Sequence, residues 1–136
     1  MARIMLLDYG KKRTGIAVTD PSQIIATALT TVETRELIGF IKQYVAKEPV
    51  EKMVIGYPLN MDNSETDATA LVDKFILKFS HVFPNIPVEK IDERFSSKLA
   101  SAEIAKMGLK KKESEQKELI DAVAAAMMLQ EWMESR

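Results

Sequence analysis

The 136-residue sequence contains no cysteine and a single histidine, His81. Without thiols there is no disulfide framework, no thiolate metal site and no cysteine nucleophile. One imidazole near a helix end cannot build a multi-histidine metal centre, and no function is assigned to it. Glycine and proline number five each and are scattered, so no linker or low-complexity tract divides the chain. Long apolar runs are missing as well. Ile4–Leu7 and Ala122–Leu129 stop far short of the ~20 residues that cross a bilayer. Met1-Ala2-Arg3 leads straight into the first of these runs, with no signal-peptide core or cleavage site. A soluble, cytoplasmic chain without membrane partners is expected. A surplus of either charge is also absent: 19 Lys and Arg stand against 20 Asp and Glu, a formal net charge of -1. Any phosphate-bearing partner must therefore be held by a local basic patch or through metal ions.

What is present is ordinary for a globular protein, 46% apolar and 29% charged residues. At roughly 100–200 residues per domain, residues 1–136 are expected to form a single domain. Arg3–Asp8 reads as a strand apolar on both faces, suited to the middle of a sheet. A turn over Tyr9–Arg13 leads to a strand at Thr14–Thr19, and Asp20-Pro21-Ser22 turns into a third at Ile24–Val32. These three predict an antiparallel meander. Helices and strands then alternate. Thr34 is the expected cap of a helix carrying Leu37, Ile38, Ile41, Tyr44 and Val45, closed by Pro49. Met53–Gly56 is a short strand, Ser64 and Asp67 form a capping box for a helix to Val82, and Val88–Asp92 is a strand. A helix at Ser97–Lys106 and a last one from Ser114 to Glu134 complete an α/β domain with a mixed sheet. The methionines and Trp132 fall at helical spacing and read as core or interface.

Three acids attract attention within that order. Asp8 ends the first strand ahead of a glycine turn, and Glu93 follows the last strand. Ligand sites in open α/β sheets gather at such carboxyl ends. Asp121 lies in the helical stretch Leu119–Ala125, where its neighbours Ala124 and Ala125 are small and apolar. Each has a structural alternative: Asp8 as a turn cap, Glu93 paired with Arg94 or Lys90, Asp121 in a salt bridge with a lysine. Together they are three hard oxygen donors, suited to Mg²⁺ or Mn²⁺. Two such ions about 3.5–4 Å apart support phosphodiester hydrolysis.

The segment Leu7-Asp8-Tyr9-Gly10-Lys11-Lys12-Arg13-Thr14-Gly15-Ile16-Ala17-Val18-Thr19-Asp20 resembles the opening signature of the YqgF family. Further matches are Gly56-Tyr57-Pro58-Leu59-Asn60-Met61-Asp62, Asp92-Glu93-Arg94-Phe95-Ser96-Ser97 and Ile120-Asp121-Ala122-Val123-Ala124-Ala125. The matches run in order from residue 7 to 125, with Tyr57 and Asn63 departing from the usual pattern. Members are described as RNase H-like Holliday junction resolvases and as pre-16S rRNA processing nucleases. The resemblance implies an RNase H-like fold and a divalent-metal nuclease with Asp8, Glu93 and Asp121 as its catalytic and metal-binding triad. It also places Lys12 and Arg13 beside the substrate phosphate. By residue type, Asn60 is a further substrate contact or a turn stabiliser, and Arg94 holds a phosphate oxygen or braces Glu93. Precursor rRNA, through 5′-end processing of pre-16S rRNA in ribosome biogenesis, is the first implied substrate, and a four-way DNA junction the alternative. Lys110-Lys111-Lys112 offers a more distant phosphate contact, or solvated surface.

Two other classes compete. An Asp-x-Gly hairpin also occurs in actin-like and sugar-kinase ATPases, but those need two related domains and a second phosphate loop, for which 136 residues are too few. A non-catalytic RNA-binding domain of the same fold is the other. A monomer or a homodimer is compatible with the sequence, and junction cutting favours the dimer because two sites must act symmetrically.

Overall fold

The strand expected at Arg3–Asp8 (β1) forms with those bounds, and its four central residues are buried. They are apolar on both faces because β1 is the middle strand of a five-stranded sheet. The computed structural model describes residues 2–57, 67–92 and 113–135. On one side of β1 lie β2 (Arg13–Thr19) and then β3 (Ala26–Glu33), both pairings antiparallel. On the other side β4 (Val50–Tyr57) and then β5 (Val88–Asp92) run parallel, giving the order β3-β2-β1-β4-β5. The helices are α1 (Leu37–Lys47), α2 (Asp67–Val82) and α3 (Glu113–Ser135). The predicted meander and the alternation after it are thus both present.

The period-two alternation of the strands sorts their side chains into two cores. Met5, Leu7, Ile16, Val18, Met53 and Ile55 pack against Leu37 and Ile41 of α1 and Val72, Phe75 and Phe79 of α2. Ile4, Leu6, Ala17 and Val54 face the other way, onto Ala125, Met128 and Leu129 of α3. The alanines of α3 matter here: Ala124 and Ala125 are fully buried, and their small side chains let the helix axis come close to the sheet.

Three expectations are corrected. The third strand begins at Ala26 instead of Ile24, because the amides of Ile24 and Ile25 are bonded to Asp20 Oδ1 at 2.7 and 2.8 Å. Those bonds hold the Asp20 carboxyl below its usual pKa. Thr34 does not cap a helix. It opens a 3₁₀ turn over Thr34–Glu36, and the α-helix starts at Leu37. The strand read at Met53–Gly56 extends to Val50–Tyr57, since pairing with β1 from Arg3↔Val50 onward outweighs the polar Glu51 and Lys52. Pro49 closes α1 as expected: Glu48 before it is extended, at φ -127 and ψ 120. The expected Ser64 cap, the helix at 97–106 and the lysine run at 110–112 lie outside the described residues.

Candidate functional site

The β1–β2 turn is fastened by a residue far along the chain. The Thr34 hydroxyl donates to the Gly10 carbonyl at 2.6 Å, and the Thr34 amide donates to the Lys12 carbonyl at 2.9 Å. With its one proton committed to Gly10, Thr34 Oγ1 accepts from the Thr14 hydroxyl, 2.9 Å away and fully buried. This clamp sets where Lys12 and Arg13 leave the turn. Thr34→Val keeps the shape and removes both hydroxyl bonds, stranding Thr14. A loss of about 1–3 kcal/mol in denaturant unfolding is expected, and an unchanged midpoint would show that the clamp contributes nothing.

Asp8 is the last residue of β1 and pairs with Gly15 of β2. Directly opposed residues of an antiparallel pair point to the same face. A β-carbon on Gly15 would lie 2.1 Å from the Asp121 carbonyl oxygen and 2.4 Å from its carbon. The bare glycine backbone therefore forms the floor on which α3 rests at Asp121. Asp8, half-buried at the adjacent register position, leaves the sheet on that same face. Arg13, two residues before Gly15, shares it too, and its Nε donates to Asp121 Oδ2 at 3.1 Å. The pair is partly shielded, with side-chain exposures of 37% for Arg13 and 27% for Asp121. Asp121 thus makes a salt bridge with Arg13.

Asp8, Arg13 and Asp121 share one face of the sheet, and Lys12 stands exposed next to Arg13 in the turn. Glu93, Asn60 and Arg94 lie outside the described residues. Among the described residues no group of three or more His, Cys, Asp or Glu is arranged to hold a metal ion. Tyr9 turns the opposite way from Asp8 and packs on Phe75, ring centroids 5.0 Å apart. Burial pushes its phenol above the usual pKa, so it anchors the strand end as a neutral group.

Two of the cavities border the sheet. One of about 550 Å³ lies at the amino ends of β4 and β5, lined by Lys52, Glu89, Ile91 and Trp132 among others. Its polar groups satisfy one another: Lys52 Nζ is 2.6 Å from Glu89 and 5.1 Å from the Trp132 ring centre, and the indole N–H donates to Glu89. Trp132 therefore serves packing, as expected. The other, about 500 Å³, is lined by Lys11, Lys12, Arg13, Glu33 and Arg35 and adjoins the acids through Arg13. Lys11, Lys12 and Arg13 line it together, as one run following Asp8, whereas Glu33 and Arg35 were not expected there. Gly15 carried a signal that pointed to its role, since a glycine inside a strand marks close backbone approach.

A sequence model described as RuvX: Holliday junction resolvase matches residues 2–135. The chain belongs to the RuvX family. The YqgF resemblance read from the motifs pointed to this same family. A relative from Bacteroides thetaiotaomicron is 48% identical over 136 residues, covering 100% of this chain and 99% of its own. One from Phocaeicola vulgatus is also 48% identical, covering 100% of this chain and 98% of its own. Both bear the name "Putative pre-16S rRNA nuclease". Among solved structures, T. thermophilus RuvC in complex with Holliday junction substrate superposes with a TM-score of 0.56 at 19% identity. That alignment covers 100% of this chain and 96% of the RuvC chain. The likeness shows that this RuvX chain has the RNase H-like fold. None of its described helices is long and apolar enough to cross a membrane.

Proposed function

We propose that the chain is a divalent-metal nuclease acting on structured nucleic acid in the cytoplasm, with 5′-end processing of precursor 16S rRNA as its task. The observation that carries this reading is the placement of Asp8 beside Gly15 on the same face where the α3 backbone rests at Asp121. The donor chemistry fits the implied ion, since both are hard carboxylate oxygens at the carboxyl end of β1. Asp8, Asp121 and Glu93 would hold Mg²⁺ or Mn²⁺, which supplies an activated water and charge stabilisation at the leaving oxygen. The names carried by relatives across nearly their whole length support the substrate.

The chain's own residues have distinct parts in this reading. Arg13 holds the Asp121 carboxylate in place through its 3.1 Å bond and keeps positive charge next to the acids. Lys12, exposed and adjacent, attracts the phosphate that the acids alone would repel. Asn60 and Arg94 complete the set of substrate contacts in this reading. Resolution of four-way DNA junctions is a second reading, favoured by the description of the matching family.

The purified chain, given labelled precursor rRNA, single-stranded RNA and a four-way junction with Mg²⁺ or Mn²⁺, should cut the precursor rRNA near the 16S 5′ end. Mapping products to the nucleotide separates trimming from internal cleavage. Symmetric cuts in the junction alone would favour the second reading. Binding without metal-dependent cleavage of any substrate would leave a non-catalytic RNA-binding domain.

A further inference from the structure

The cavity beside the acids carries more positive charge than the reading above uses. Four cations, Lys11, Lys12, Arg13 and Arg35, line it against one carboxylate, Glu33. Arg13 is engaged by Asp121. Lys11 and Lys12 are exposed, and among the described residues neither forms a salt bridge. Arg35 Nε reaches Glu33 at 2.7 Å, but the two side chains are 81% and 55% exposed. An ion pair this open to water is weak and screened by salt, so a better anion can displace the carboxylate. The guanidinium fork matches a phosphate in two-point fashion. Glu33 pairs with Arg13 in the β2–β3 register, which puts the charges in sequence outward from the acids: Asp121, Arg13, Glu33, Arg35.

We propose that Lys11 and Arg35 form a second phosphate subsite, gripping the nucleic-acid backbone beside the phosphate that is cut, with Glu33 as a built-in competitor that Arg35 leaves when the strand enters. The proposal rests on the nuclease reading and deepens it by giving the strand a direction, from the acids outward across β3. A local patch is what a chain of net charge -1 requires to hold a polyanion. Glu33 limits the affinity of that patch, because a phosphate must displace it from Arg35.

The test is binding of labelled single-stranded RNA and of a labelled four-way DNA junction to the full chain over a salt series, with Ca²⁺ replacing the catalytic ion to block cleavage. The double variant Lys11→Gln, Arg35→Gln should lower the log–log salt slope by about 1.4 on single-stranded RNA and about 1.8 on duplex arms. It should weaken all sequences alike, because phosphates carry no base identity. Glu33→Gln should do the reverse, binding about two- to fivefold more tightly once Arg35 loses its competitor. Thermal unfolding should be the same for all three, since the changed side chains are exposed. A wild-type slope in the double variant, in a preparation that binds and cuts, would overturn the subsite and leave the nuclease reading standing. Binding by Glu33→Gln no tighter than wild type would overturn the competitor. A wild-type chain that binds neither probe would overturn both readings together.

Discussion

Asp8→Asn is expected to reduce metal-dependent phosphodiester cleavage at least about a hundredfold, the scale for losing one strong electrostatic group at a reacting centre. The amide has the same shape as the carboxylate and keeps one carbonyl oxygen, but it carries no charge to offer a cation. The fold should survive. Asp8 ends β1 with only partial burial, and β1 keeps its buried residues and its pairing to β2 and β4. The measurement is the single-turnover rate on the substrate identified above, with and without EDTA, alongside denaturant unfolding. Full activity in Asp8→Asn, or in the wild type with excess EDTA, would remove the acids from the mechanism.

Gly15→Ala should damage stability and activity together. The new methyl would lie 2.1 Å from the Asp121 carbonyl oxygen, 2.4 Å from its carbon and 3.0 Å from the Ala122 nitrogen. All three are backbone atoms, so no side-chain rotation relieves the clash and α3 must move as a body. Overpacking of this kind costs about 1–3 kcal/mol, occasionally more. The displaced helix carries Asp121 with it, and if Asp121 acts as proposed, a shift on the order of 1 Å there costs about a hundredfold in rate. Gly39→Ala is the matched control. It lies in α1 with nothing within 4 Å of the added carbon, and alanine there should stabilise by up to about 1 kcal/mol with no change in rate. Equal behaviour of the two variants would show that the approach of α3 to Gly15 is not a determinant of the site.

Much of the architecture was legible in the sequence because its signals are local. Four consecutive apolar residues before Asp8 implied a strand buried on both faces, and β1 is that strand. Val88–Asp92 was bounded by Pro87 and by the change in pattern beyond it, and it too forms as read. The errors fell where a distant partner overrode a local preference. Ile24 and Ile25 have strand-forming side chains, yet their amides are taken by Asp20. Thr34 is a good helix cap by type, yet its hydroxyl is claimed by the β1–β2 turn. Polar Glu51 and Lys52 masked the first half of β4, which parallel pairing to β1 extends.

The site divides along the same line. The sequence alone singled out the candidates: Asp8 at a strand end, Asp121 on an otherwise small and apolar helical face, Lys12 and Arg13 in the turn, and motifs whose order marks the family. The tertiary structure decided who meets whom. Arg13 bonds to Asp121 across 108 residues of chain, tying the turn to the helix that carries the acid. Gly15 acquires its meaning only when α3 is laid on it. Lys11, Glu33 and Arg35 become walls of one cavity because β3 folds back beside β2. Periodicity reveals what is buried, since burial repeats with the helix or the strand. Exposed charges follow no such repeat, so which of them share a cleft depends on sheet register and helix placement.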